Sequence, residues 1–339
     1  MVSVMQKLIV ASTLAGIFAA VTSLAQDVKR PRLIGISQIV LRAHDLDAAR
    51  HFYGDLLGFQ EAITVLKDQT AVSGGGRSQD QAAAVFFKVN NRQYIVVMPE
   101  SATADPRFVR YAVETDDAAA MRLWLGSLGY AVPSKVSRTP AGDLAFQVSD
   151  PDGNLIEIMQ YTPNSLSVQD FGKYLAGDRL SNRIIHAGFQ ISRPESVKFY
   201  LDGFAVREFW RSDASMRAPG AAAGGNTQTP VPLLATLSNL KLSGSDDYIE
   251  WGISRTRAPG SVIGGGHIAL ETPDMARTLA ALEARPAFRD YKGKHEAHVG
   301  VNHKWQGNFF DPDGTRTEFM EHDTADGLPS PISRAPYFQ

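Results

Sequence analysis

The chain has 339 residues, of which 44% are hydrophobic and 21% are charged, so it can bury a large core and is long enough for two domains. Its formal net charge of −2 and pI near 6.5 give no basic face that would attract nucleic acid or an anionic membrane. The sequence contains no cysteine, which excludes disulfides, lipoprotein attachment and thiolate metal ligands.

The N-terminal segment differs in composition from the rest of the chain. Residues 1–7 form a short positive region, residues 8–21 are apolar, and Ser23-Leu24-Ala25 supplies small residues before Gln26. This order is typical of a secretory signal peptide, and the apolar run is short for a membrane span. We expect residues 1–25 to be removed, which predicts a periplasmic or secreted protein without a membrane partner.

The next part of the sequence alternates between strand and helix patterns. Residues 34–41 predict a β-strand and are followed by apolar residues at helical spacing over 46–56. Further strands are predicted at 84–87 and 94–98. A second unit starts near Phe108, where Thr115 with the two aspartates after it predicts the N-cap and acidic first turn of a helix.

The second half of the chain repeats the first. The segment Asp150-Pro151-Asp152-Gly153 precedes Glu157 by the same spacing with which Asp311-Pro312-Asp313-Gly314 precedes Glu318. Likewise, Arg-Tyr-Ala-Val-Glu-Thr at 110–115 matches His-Ile-Ala-Leu-Glu-Thr at 267–272. Each half also contains a finer repeat, so four βαβββ-like units are predicted. In the second half, Thr272 is the candidate N-cap before a helix that starts at Pro273.

These motifs resemble the vicinal oxygen chelate superfamily, which includes glyoxalase I, extradiol dioxygenases, and fosfomycin- and bleomycin-resistance proteins. The resemblance covers roughly residues 34–322 and rests on the segment 46–59, the two Asp-Pro-Asp-Gly strands and Gly266-His267-Ile268-Ala269-Leu270. It implies an α+β fold with two tandem domains, each made of two βαβββ modules that form a curled mixed β-sheet around a metal pocket. The expected boundaries are 34–162 for the first domain, 183–323 for the second and 324–339 for a C-terminal tail.

Four residues of the second half fall at matching positions in predicted strands: His186, Glu250, His267 and Glu318. Any one of them alone would be typical of a packed or solvated strand position, but the four together indicate a metal site. Imidazole and carboxylate suit Zn, Ni, Fe, Mn or Co, and four donors leave two octahedral positions for water or a chelating substrate. The resemblance makes these residues the glyoxalase I ligand pattern, with one divalent metal per chain.

The first half carries different residues at the same positions: Gln38, Val96, Arg110 and Glu157. A guanidinium cannot bind a cation and valine has no donor atom. We therefore expect no metal in the first domain and an ion pair between Arg110 and Glu157 in its place.

The resemblance implies a metal-dependent lyase or isomerase of the glyoxalase type, acting on a small molecule with vicinal oxygen donors through an oxyanion intermediate. We expect Glu318 and Glu250 to be catalytic as well as ligating, and His303 to transfer protons. The glutathione contacts of glyoxalase I correspond here to Gln190 and Ser254. Together with export, this difference argues against a glutathione-dependent reaction.

Two other functions remain open at this point. One is an Fe(II) extradiol-type ring-cleaving dioxygenase that uses His186, His267 and Glu318. Against it, the segment 307–311 lacks the tyrosine that such enzymes carry before Asp-Pro, and Glu250 stands where they have no ligand. The other is a non-catalytic binding or resistance protein, which the four donors argue against. The Gly- and Ala-rich residues 218–232 predict a long loop, either a lid or a surface insertion. A homodimer is an option for the quaternary structure.

Overall fold

The computed structural model describes residues 28–102, 106–213, 216, 236–253 and 266–334. The predicted signal peptide at 1–25, the predicted loop at 218–232 and Ser254 lie outside the described residues, so these predictions remain untested. Within the described ranges, no helix is both long and apolar enough to cross a membrane.

The first half of the described chain forms a mixed sheet of nine strands in the order β3-β2-β4-β5-β1-β6-β9-β8-β7. Strand β1 pairs in parallel with β5 and antiparallel with β6, and β6 pairs in parallel with β9. The strands are β1 (Leu33–Ala43), β2 (Glu61–Leu66), β3 (Ala71–Ser73), β4 (Ala82–Lys88), β5 (Tyr94–Pro99), β6 (Phe108–Thr115), β7 (Ser137–Arg138), β8 (Leu144–Ser149) and β9 (Leu155–Gln160).

The second half forms a sheet of eight described strands with the same topology, in the order β11-β12-β13-β10-β14-β17-β16-β15. The strands are β10 (Ile184–Ile191), β11 (Arg207–Asp213), β12 (Thr236–Lys241), β13 (Tyr248–Ile253), β14 (His267–Thr272), β15 (Ala297–Val299), β16 (Lys304–Phe310) and β17 (Arg316–Thr324). The two curled mixed sheets confirm the predicted α+β fold of tandem domains.

Short helices connect the strands of each sheet. They are Leu46–Ala49 continuing as π-helical turns through Arg50–Leu56, Ala118–Ser127, Leu166–Gln169, Pro194–Lys198 continuing through Phe199–Gly203, Met275–Glu283 and the 3₁₀ turn Pro286–Asp290. Two helix starts differ from the prediction. Asp117 and Asp274 are the N-caps, because their side chains accept hydrogen bonds from Ala120 N and Arg277 N. The predicted caps, Thr115 and Thr272, end the preceding strands instead.

Reciprocal hydrogen bonds join the two halves. The Tyr53 hydroxyl in the first half donates to Asp311 Oδ2 in the second, and the Tyr200 hydroxyl in the second half donates to Asp150 Oδ2 in the first, both over 2.9 Å. Both aspartates start the repeated Asp-Pro-Asp-Gly turns and are buried. Burial raises the pKa of Asp311 to about 6. The Asp-Pro-Asp-Gly motif therefore fixes the two halves against each other.

Candidate metal centre

Four neighbouring strands of the second sheet bring His186, Glu250, His267 and Glu318 together. Gly188 on β10 pairs with both Glu250 on β13 and His267 on β14. Two residues further along β14, Ala269 pairs with both His186 and Glu318. Because side chains alternate along a strand, the four donors share one face of the sheet and occupy two adjacent rows.

The donor atoms of these residues converge on one point. His186 Nε2 and His267 Nε2 are 3.0 Å apart, and Glu250 Oε1 is 4.0 Å from His186 Nε2 and 3.5 Å from His267 Nε2. Glu318 Oε2 lies 3.8 Å from His186 Nε2 and 3.4 Å from His267 Nε2. His186, Glu250 and His267 offer ligand atoms that all lie within 4.8 Å of one another. Glu318 approaches both imidazoles without joining that compact group of three.

These distances fit a shared cation. Two donors bound at right angles at about 2.1 Å from one ion lie roughly 3.0 Å apart, which is the separation of the two imidazole nitrogens. The same separation also allows one neutral imidazole to donate its N–H to the other, so the fit to a cation rests on the two carboxylates that approach the same two nitrogens. The residues present therefore fit a divalent metal.

Gly188 creates the space that His267 occupies. A Cβ atom at this position would lie 1.8 Å from His267 Cε1 and 2.4 Å from His267 Nε2, far inside van der Waals contact. Only glycine leaves room for the imidazole above the strand. The repeat pattern in the sequence did not identify Gly188 as part of the site. The sequence feature that indicates it is a glycine two positions after His186, on the same face of the strand.

The protonation states suit metal binding. Burial, followed by the charge of His267, lowers the pKa of His186 well below its ordinary value, so its imidazole is neutral. For Glu318, burial acts to raise the pKa, but Arg316 and the two histidines outweigh it and lower the pKa to about 2. A neutral imidazole and an ionised carboxylate are the forms that bind a metal.

The second carboxylate is oriented from outside the centre. In the amide orientation that satisfies both of its polar atoms, Asn239 donates to Glu250 Oε2 over 3.0 Å. That contact leaves Glu250 Oε1 directed toward the imidazoles. Hydrogen bonds of this kind orient ligating carboxylates in metal sites. The Glu250 side chain is 16% exposed and the Glu318 side chain is 5% exposed, so Glu250 is the more accessible of the two.

The first sheet has no such donor group at the equivalent position. Val40 pairs with Arg110 and with Val96, just as Gly188 pairs with His267 and Glu250. The predicted ion pair is present: Arg110 Nε donates to Glu157 Oε2 over 3.2 Å, and Gln147 donates to Glu157 Oε1 over 3.2 Å. Val40 and Val96 belong to an apolar cluster on this sheet.

His303, the predicted proton-transfer residue, contacts Asp326. It occupies the turn before β16 with a left-handed φ of 60°. Its Nδ1 is 3.0 Å from Asp326 Oδ2, and both side chains are largely exposed. The structure thus gives His303 a partner in Asp326, and its proton-transfer role stays a prediction.

Comparisons with known proteins agree with this architecture. Residues 35–158 match the model of the Glyoxalase/Bleomycin resistance protein/Dioxygenase superfamily, whereas no curated protein matches the sequence. Among solved structures, the Mn(II)-bound glyoxalase from Novosphingobium aromaticivorans is 18% identical, with a TM-score of 0.58 and coverage of 89% of this chain and 85% of that one. The extradiol ring-cleaving dioxygenase from B. fuscum is 15% identical, with a TM-score of 0.61 and coverage of 90% and 76%.

A third solved structure, the 2,3-dioxygenase LapB from Pseudomonas sp. KL28, is 15% identical with a TM-score of 0.58, and the alignment covers 89% of this chain and 97% of that one. At such low identities these likenesses show the fold alone. The matched sequence and the shared tandem fold agree with the motifs of the repeat. Residues 35–158 thus carry the sequence pattern of the glyoxalase/bleomycin resistance protein/dioxygenase superfamily, and the chain shares the tandem fold of a glyoxalase and of extradiol dioxygenases.

Proposed function

We propose that the chain binds one divalent metal through His186, Glu250, His267 and Glu318 and catalyses a glyoxalase-type lyase or isomerase reaction. The observation that carries this proposal is the convergence of two imidazoles and two carboxylates on one face of the second sheet. A metal held there supplies Lewis-acid stabilisation of an oxyanion. The substrate class is a small molecule with adjacent oxygen donors, since four protein ligands leave neighbouring positions of an octahedron for a bidentate ligand.

The four residues of the site have different roles in the proposed reaction. His186 and His267 are buried and supply the two imidazole donors of the site. Glu318 is buried beside Arg316 and is suited to ligation alone. Glu250 is the more exposed carboxylate, and Asn239 orients it through Oε2. Of the two carboxylates that the sequence predicts to be catalytic, Glu250 is therefore the one that we assign to accept a proton from the substrate.

The position of Glu250 favours the lyase or isomerase over a ring-cleaving dioxygenase. Glu250 Oε1 lies 3.5 Å from His267 Nε2, inside the donor group. A dioxygenase of the alternative type would use His186, His267 and Glu318 around Fe(II) and leave this position without a ligand. The likeness to extradiol dioxygenases is one of fold. The identity of the bound metal and the reaction it supports therefore distinguish a lyase or isomerase from a dioxygenase.

The test is metal analysis of protein purified from its native compartment, followed by turnover assays. We expect about one divalent ion per chain and no oxygen uptake with catechols. Iron together with oxygen consumption on catechols would replace the proposal by the dioxygenase, and metal-free protein that still binds small molecules would favour a binding or resistance protein.

We also propose that the protein is exported to the periplasm or secreted and does not use glutathione. Support comes from the signal-like composition of residues 1–25 and from Gln190 at a position where glyoxalase I contacts glutathione. Intact-mass measurement of protein from its native host should give an N-terminus near Gln26, and an intact Met1 on cytoplasmic protein would contradict this.

A further inference from the structure

Arg316 lies beside the candidate metal centre with few partners. It precedes Glu318 by two residues on β17, so both side chains lie on the same strand face. Its Nη2 is 3.7 Å from Glu318 Oε2, and its Nη1 is 3.5 Å from Asn308 Oδ1. Both distances are long for hydrogen bonds, and a guanidinium carries five N–H donors. Within the described ranges, most of these donors are therefore available to a ligand.

The first sheet shows that the fold does not require an arginine at this position. Arg316 pairs with His267, and the residue that matches Arg316 in the repeat, two before Glu157, is Leu155. In the first sheet the guanidinium of Arg110 contacts Glu157 directly, over 3.2 Å. In the second sheet Arg316 lies 3.7 Å from Glu318, too far for a hydrogen bond, and the same Glu318 oxygen faces both imidazoles. Arg316 is thus a feature of the half that carries the donor group.

With a divalent metal bound, the site would have an excess of positive charge that an anionic ligand can balance. A divalent metal binds carboxylates in their ionised form and imidazoles in their neutral form, so a bound metal would cancel the two negative charges of Glu250 and Glu318. Arg183, which precedes β10, is already paired with Asp247 and Glu271. Arg316 therefore gives the metal-loaded site one net positive charge.

We infer that Arg316 selects a substrate that binds as a singly charged oxygen chelate, such as an α-hydroxy carboxylate or an ionised enediol. The guanidinium offers two parallel N–H donors to an anionic oxygen pair. Next to the donors, Ile185, Tyr248, Ala269 and Met320 form a buried apolar cluster, and the Tyr248 ring centroid lies 4.7 Å from that of His186. This cluster suits an apolar or aromatic substituent on the chelate. The inference rests on the proposed metal site and names its substrate class.

The test compares two probes that differ by one charge, mandelate and mandelamide, on the Co(II)-loaded protein, with binding followed by the visible spectrum. The wild type should bind mandelate at least about 10-fold more tightly than mandelamide, as expected for one charge pair in a partly buried site. Arg316→Met should keep its Co(II) and narrow this preference by about 10-fold, the part due to the guanidinium, because the metal itself also favours a carboxylate over a neutral amide. Arg277→Met is the matched control, because it removes a charge from the same domain where the side chain is 89% exposed; it should keep the preference.

Each other result is decisive. Equal binding of the two probes by the wild type, or an unchanged preference in Arg316→Met, would overturn the assignment of Arg316 and leave the metal site standing. Loss of Co(II) from Arg316→Met would show that the arginine only holds Glu318 in place. A wild-type protein that takes up no Co(II) would remove both the proposed function and this inference.

Discussion

Replacing Gly188 by alanine tests the shape of the metal centre without touching a donor. The new Cβ would lie 1.8 Å from His267 Cε1 and 2.2 Å from His267 Nδ1, whereas ordinary contacts start near 3.4 Å. Either the imidazole rotates away or the strands β10 and β14 separate. Rotation is the less costly response, because Gly188 and His267 belong to paired strands in the middle of the sheet. We expect Gly188→Ala to fold, with a stability loss of about 1–3 kcal/mol as for other overpacked sites.

The consequence for metal binding should be much larger than the consequence for folding. Displacing His267 removes one of the four donors, so we expect metal affinity to fall by roughly 100-fold or more, at least as much as for loss of an outer partner of a ligand. Chelator competition measures the affinity, and circular dichroism with thermal melting checks the fold. Gly177→Ala is the control, because a Cβ there would meet nothing within 4 Å. If Gly188→Ala bound metal as tightly as the wild type, the placement of His267 as a donor would be refuted.

Two further predictions concern the carboxylates. Glu250→Gln should keep the fold and lower turnover by about 10²–10⁴-fold, as for a lost general base, while Glu318→Gln should mainly weaken metal binding. Steady-state kinetics at saturating metal distinguishes the two effects. Full activity of Glu250→Gln would show that another residue is the base. For Asp311, burial raises the folded-state pKa to about 6, above its ordinary unfolded value. The folded state therefore binds the extra proton, and this contribution to stability is present at low pH and lost as the pH rises through about 6. Asp311→Asn should remove that loss, so denaturant unfolding should show the variant gaining roughly 1–3 kcal/mol on the wild type between pH 4 and 6.5. A difference that is independent of pH would argue against this.

The repeat in the sequence predicted the fold and brought the right strands together. The Asp-Pro-Asp-Gly turns and the matching strand positions define where Glu157 and Glu318 lie. In the first sheet, the strand register places Gln38, Val96 and Arg110 at the positions equivalent to those of His186, Glu250 and His267 in the second, as the repeat predicts. This works because strand periodicity and spacing determine which face a residue occupies.

Other features depend on contacts that periodicity does not encode. Asp274, not Thr272, caps its helix because the threonine hydroxyl turns back to bond Asp274 N and Thr278. His303 turns outward to Asp326 because its backbone adopts a left-handed conformation. The roles of Gly188 and Asn239 appear only when neighbouring strands are paired in space, since they act on His267 and Glu250, which lie on other strands.

The central claim is that one metal binds in the second domain and that the first domain binds none. Its most direct test is metal content per chain, measured by mass spectrometry on His267→Ala, Arg110→Ala and wild-type protein loaded under the same conditions. The account predicts one ion per chain in the wild type and in Arg110→Ala, and loss of most bound metal in His267→Ala. Equal retention in both variants, or two ions per wild-type chain, would contradict it.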